Sequence, residues 1–138
     1  MLKSSPNSAA VPGTVMAFDY GLRRVGVAVG NTVTKLGQPL RTIAAPNADG
    51  LFREIECLLG EWAPNQLVVG LPMHPDGAEH EMTAKAKRFG NQLHGRFGLP
   101  VSWVDERYTS AVLEGSSQMR DNLDAHSAVL ILEQYFAG

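Results

Sequence analysis

Little in this chain would staple, anchor or strongly steer it. It has one cysteine, Cys57, in 138 residues. A lone thiol excludes an internal disulfide framework and any cysteine-rich zinc site. Cys57 sits in a helical pattern and reads as a buried, inert thiol. No apolar run is long enough to cross a bilayer. Met1 to Gly13, M-L-K-S-S-P-N-S-A-A-V-P-G, lacks the apolar core of a signal peptide. A cytoplasmic protein with no membrane partner is therefore expected. Charge of one sign is also missing: 12 Lys and Arg face 14 Asp and Glu, a net of −2. Binding that lives on counterion release usually comes with a more basic chain. Any contact with nucleic acid must then rest on local cations and on acids neutralised by metal.

What is present is the composition of an ordinary globular domain, 44% hydrophobic and 19% charged. The length suits one domain with a sizeable core. Pro, Ser, Asn and Gly at the start predict a mobile tail over residues 1–14. Residues 15–138 then form the domain. Thr14 to Phe18 is a β-rich run, Tyr20 to Arg24 a tight turn in which Gly21 can take positive φ, and Val25 to Gly30 the next strand. The two glycines of V-G-V-A-V-G leave its backbone open to close approach. A third strand falls within Thr32 to Ala45, interrupted by Gly37 and Pro39.

Leu51, Phe52, Ile55, Leu58, Leu59 and Trp62 repeat at helical spacing. They predict a helix over 49–62, with Asp49 as N-cap and Pro64 as stop. Gln66 to Gly70 reads as a short buried strand and L-P-M-H-P-D-G-A as a loop. A helix is predicted over 79–97, with Met82, Ala86, Phe89, Leu93 and Phe97 inward and a polar stripe of Lys85, Arg88, Gln92 and Arg96. Val101 to Val104 is another strand. A short helix over 110–114 and a last helix over 122–136 follow. The expected fold class is α/β: a mixed five-stranded sheet, three antiparallel strands then parallel ones, with helices on both faces.

Three acids stand out in that frame. Asp19 in V-M-A-F-D-Y-G and Glu106 in V-S-W-V-D-E-R each end an apolar strand run. Asp124 opens the apolar helix L-D-A-H-S-A-V-L-I-L. Functional sites in such sheets gather at the carboxyl ends of strands. Converging carboxylates repel unless a cation lies between them. The pattern points to a divalent metal site, and from there to metal-assisted phosphoryl chemistry. Two cations about 3.5–4 Å apart would need hard oxygen ligands, with Asp19 on the central strand placed to bridge them.

Each residue also has a plainer reading. Asp19 suits an Asx-turn before Gly21. Glu106 competes with Asp105, which strand alternation sends to the opposite face, and Glu106 could simply pair with Arg107. Asp124 suits an N-cap or first-turn acid, and Asp121 suits a cap or a fourth acid. Arg23, Arg24 and Arg107 are candidates to meet phosphate. Lys85, Arg88 and Arg96 fit a solvated helix face better than a nucleic-acid track. His74, His80, His94 and His126 show no metal-ligand spacing. Trp103 reads as core rather than a stacking platform.

The blocks D-Y-G-L-R-R-V-G-V-A-V-G, V-G-L-P-M-H-P-D-G, V-D-E-R-Y-T-S and D-A-H-S-A-V-L-I-L together resemble the YqgF (RuvX-like) family over roughly residues 15–136. That bacterial group has a ribonuclease-H-like fold. Its members are described as candidate pre-16S rRNA nucleases and, earlier, as candidate Holliday-junction resolvases. The resemblance implies that the family's acids fall on Asp19, Glu106 and Asp124, which favours Glu106 over Asp105. It implies one or two Mg²⁺ or Mn²⁺ ions, and a ribosomal RNA precursor as partner in ribosome biogenesis. The family has a longer stretch with Gly and Lys before its last acid. Here Gly115 to Leu123 is short and without lysine, a reduced flap. Residues 115–118 are expected to be mobile and to border the site, with Arg120 able to help grip substrate.

The alternatives are a DNA endonuclease that resolves branched junctions and a non-catalytic RNA- or ribosome-associated factor. A resolvase calls for a two-fold dimer, for which the sequence offers no evident surface. An actin-like or sugar-kinase-like nucleotide binder would need a second lobe and a second phosphate loop. The chain shows neither.

Overall fold

The computed structural model describes residues 13–44, 47–74, 76–79, 81–106 and 120–137, with side chains from 125 onward in the last of these segments. The order is β1 (Thr14–Tyr20), β2 (Arg24–Asn31), β3 (Leu36–Ala44), α1 (Ala48–Trp62), β4 (Gln66–Pro72), α2 (Glu81–Phe97), β5 (Val101–Glu106) and α3 (Arg120–Ala137). The five strands form one sheet in the order β3-β2-β1-β4-β5. β1 to β3 form the antiparallel meander, while β1, β4 and β5 run parallel. Residues 1–12 of the expected tail and the short helix expected over 110–114 fall outside the described residues, while Thr14, expected in the tail, is the first residue of β1.

Alternation along the strands sorts side chains into two cores. Met16, Phe18, Val25, Val27, Leu67 and Val69 meet α1 and α2 through Phe52, Ile55, Phe89 and Leu93. Val15, Ala17, Ala28, Val68 and Val104 meet α3 through Ala128, Ile131 and Leu132. Because β1 sits between β2 and β4, it is buried on both faces. Its run T-V-M-A-F is accordingly apolar throughout rather than alternating.

Several boundaries depart from the sequence reading. β1 runs past Phe18 to Tyr20 and β5 past Val104 to Glu106, because β2 and β4 still offer backbone partners there. Both acids therefore lie within strands. β3 accommodates Pro39 because it is an edge strand, with a register shift that skips Leu40.

The N-cap of α1 is Asn47, whose side chain accepts the Gly50 N–H at 2.8 Å, and not Asp49. Cys57 is exposed, contrary to expectation. The inward stripe of α1 is Leu51, Phe52, Ile55 and Leu58, and Cys57 falls two residues past Ile55, off that face. On α2, Thr83 rather than Met82 is buried, and its hydroxyl donates to the Pro72 carbonyl. Ala63 and Gly98 stop α1 and α2 in left-handed conformations.

Candidate active site

The acids are placed by strand register. Asp19 shares the parity of Val15 and Ala17, and so the α3 face of β1. Across β2 it pairs with Gly26. On the other side, the β1–β4 ladder reaches Phe18↔Val69, so the next residue of β4 beside Asp19 is Gly70. The acid thus stands at the carboxyl end of the central strand with a glycine on each flank.

Glu106 has the parity of Val104 on β5 and faces the same side; it pairs with Pro72 across β4. A Cβ placed on Gly70 would lie 2.7 Å from Glu106 Oε2 and 2.5 Å from Ile131 Cδ1. The Glu106 carboxylate therefore leans across β4 toward β1, over the one residue that separates it from Asp19. Any other residue at 70 would occupy that space. Asp105 takes the opposite parity, as alternation requires, and shares its face with Trp103.

Asp124 is the fifth residue of α3, one turn before Ala128. The helix begins four residues ahead of it, which removes the N-cap reading. Ala128 is fully buried against the sheet. Further along, Leu132 and Phe136 meet Gly30, at the opposite end of the sheet from Asp19. The earlier turns of α3 thus run toward β4 and the acid end. The Asp124 side chain lies outside the described residues, as do Arg107 and residues 107–119. Among the described residues no three His, Cys, Asp or Glu side chains converge as a metal site.

Arg24 opens β2 with the parity of Gly26 and shares the face of Asp19. Arg23 is exposed in the turn between the strands. Gly21 in that turn does not take positive φ. Its glycine is needed for close approach, since a Cβ there would lie 2.7 Å from the Arg24 carbonyl oxygen. Asp76 and Gly77 shape the loop after β4: Asp76 Oδ1 accepts the Ala78 N–H at 2.9 Å and Gly77 has φ +92°. Trp103 is 40% exposed, with one edge of its ring against Gly90. The residue the sequence reading missed is Gly70, whose signal was a glycine inside the buried run Q-L-V-V-G.

A mixed sheet of this order, with acids at the ends of β1 and β5 and a helix crossing their face, defines a ribonuclease-H-like fold. Solved structures agree. The chain is similar in fold to Thermus thermophilus RuvC, alone and in complex with a Holliday junction substrate. The TM-score is 0.54 in both cases at 12% identity, over 89% of this chain and 92–93% of that one.

The family model described as "RuvX: Holliday junction resolvase" matches residues 13–138, and the protein belongs to that family. A relative from Polynucleobacter necessarius subsp. necessarius (strain STIR1) is 77% identical, over 99% of this chain and 92% of its own. Relatives from Paraburkholderia xenovorans (strain LB400) and Ralstonia pickettii (strain 12J) are 52% and 53% identical, over 95% of this chain and 92–93% of theirs. All three carry the name "Putative pre-16S rRNA nuclease".

Proposed function

We propose that the chain is a metal-dependent nuclease that hydrolyses phosphodiester bonds in the precursor of 16S ribosomal RNA, in the cytoplasm. The observation that carries the reading is the Glu106 carboxylate lying over Gly70, beside an Asp19 flanked by glycines. Carboxylates brought toward one another at strand ends fit hard divalent cations that keep positions for water and phosphate. Asp19, Glu106 and Asp124 would hold one or two Mg²⁺ or Mn²⁺ ions. Such ions supply water activation and charge neutralisation at the phosphoryl group.

The chain's own residues do the rest. Asp19 fixes the centre of the site from the central strand of the sheet. Arg24 faces the same side and orients the substrate phosphate, with Arg23 and Arg107 as further phosphate contacts. The substrate assignment rests on the relatives' names.

The test is cleavage of a precursor 16S rRNA 5′ end in Mg²⁺, with a four-way DNA junction as the competing substrate. Asp19→Asn keeps the shape of the side chain and removes its charge. It should fold with an unchanged melting temperature and lose more than ~100-fold in turnover, the upper end for groups that only support a ligand. Near wild-type turnover in that variant would overturn the site. Junction cleavage without RNA cleavage would overturn the substrate. Neutralising Arg23 and Arg24 together should weaken RNA binding and flatten its salt dependence. The log–log slope should fall by about 0.7 for each phosphate on a single strand that is no longer neutralised.

A further inference from the structure

One cavity plays no part in this chemistry, although it begins at the residue after Asp19. It has a volume of about 220 Å³ and opens on the opposite face of the sheet, between the β1–β2 turn, the start of α1 and the middle of α2. Tyr20, Leu22, Phe52, Phe89 and Gln92 shape it. Alternation turns Tyr20 away from the acid and onto Phe89, with ring centroids 4.7 Å apart and planes at 25°. Phe52 stacks on the same ring at 6.0 Å. Phe52 and Phe89 are themselves buried, 4% and 1% exposed, so the ring that meets the cavity is that of Tyr20, half-buried and backed by Phe89.

The rim has a different chemistry. Leu22 is 64% exposed although apolar. The Gln92 amide is exposed and has no hydrogen-bond partner among the described residues. Arg96, one turn further along α2, lays its guanidinium 4.1 Å from the centroid of Phe52. No carboxylate among the described residues pairs with it.

Cavities that enclose drug-sized ligands run to about 300–1,000 Å³, so this one suits a single small planar group. An accessible tyrosine ring, an amide at the edge and a cation beside it are the features by which proteins hold an unstacked base and its neighbouring phosphate. The mouth lies one residue of chain from Asp19, across the sheet's end. A strand whose phosphodiester rests at the acids can reach it with an adjacent nucleotide.

We propose that this pocket takes one splayed base of the RNA strand next to the bond that is cut. The proposal rests on the nuclease reading above and sharpens it. The strand must be single-stranded beside the scissile bond, because bases in duplex arms are stacked and paired and cannot enter.

The test uses the wild-type protein in EDTA and a short, end-labelled single-stranded RNA spanning the precursor 5′ end. Binding is read by fluorescence anisotropy on a set of RNAs, each lacking one base. One abasic position should weaken binding by about 5- to 150-fold, the range for a stacked base, and the others far less. In the Leu22→Ala, Gln92→Ala double variant that penalty should shrink toward the others, with no change in melting temperature, since both side chains are exposed. Equal penalties at all positions, or a penalty that persists in the double variant, would overturn the pocket while leaving the nuclease reading intact. A position-specific penalty in a protein that cleaves no RNA in Mg²⁺ would keep the pocket and overturn the nuclease reading. Absence of RNA binding would overturn both.

Discussion

The two faces of the sheet are built from different residues. Against α1 and α2 the sheet presents Met16, Phe18, Val25 and Val27, met by Phe52 and Phe89. Against α3 it presents Val15, Ala17, Ala28 and Val68, with glycines at 30, 37 and 70. A Cβ at Gly30 or at Gly37 would lie 2.8 Å from Leu132 Cδ2. Small residues let α3 lie close on the sheet, as helix separation follows side-chain size. Asp19 and Glu106 are on that tightly packed face, and the aromatic bulk is on the other. Under the proposed function stability and chemistry are divided between the faces, and substitutions on the two should have different signatures.

The largest effect should come from the aromatic face. Phe89 touches Phe18, Tyr20 and Phe52. Phe89→Ala should cost about 3–5 kcal/mol, read as a fall in the denaturation midpoint. Variants of this face that stay folded should keep metal binding. If a folded Phe89→Leu protein lost metal binding while keeping its stability, the division between faces would be wrong.

A smaller but double effect is expected at Gly70. Gly70→Ala introduces a methyl group against both Glu106 Oε2 and Ile131 Cδ1. Overpacking of this kind costs about 1–3 kcal/mol. Because one of the two displaced atoms is the carboxylate oxygen, turnover should fall beyond what the loss of stability explains. A variant that lost stability and kept full turnover would show that the position of Glu106 over β4 is not needed.

The smallest effect serves as a control. Gly60 lies inside α1 with nothing within 4 Å of an added Cβ. Gly60→Ala should raise stability by about 1 kcal/mol from helix propensity alone and leave activity unchanged. Destabilisation there would mean that the spacing of α1 depends on more than its inward stripe.

These contrasts also show what the sequence could reveal. The strand and helix pattern was legible because apolar periodicity is a local signal, and β1 to β5 and the three described helices overlap the segments it marked, with ends shifted by one to a few residues. Asp19 and Glu106 were legible as acids closing apolar runs. The role of Gly70 was not, because it depends on a side chain from β5, more than thirty residues away, crossing β4. The exposure of Cys57 was missed because a helical pattern alone does not fix which side turns inward at an unmarked position. Asn47 was missed as N-cap because Asp49, two residues later, carries a similar signal. The aromatic cavity behind Asp19 was hidden for a like reason: Tyr20, Phe52 and Phe89 belong to three elements, and their stacking is tertiary.

The central claim is that Asp19 and Glu106 share a divalent cation across Gly70. Its most direct test is a titration with Mn²⁺ followed by electron paramagnetic resonance, on the wild-type protein, Asp19→Asn and Glu106→Gln. Saturable binding by the wild type, weakened at least ~10-fold in each variant with the fold unchanged, is the predicted result. Equal Mn²⁺ affinity in all three proteins would contradict it.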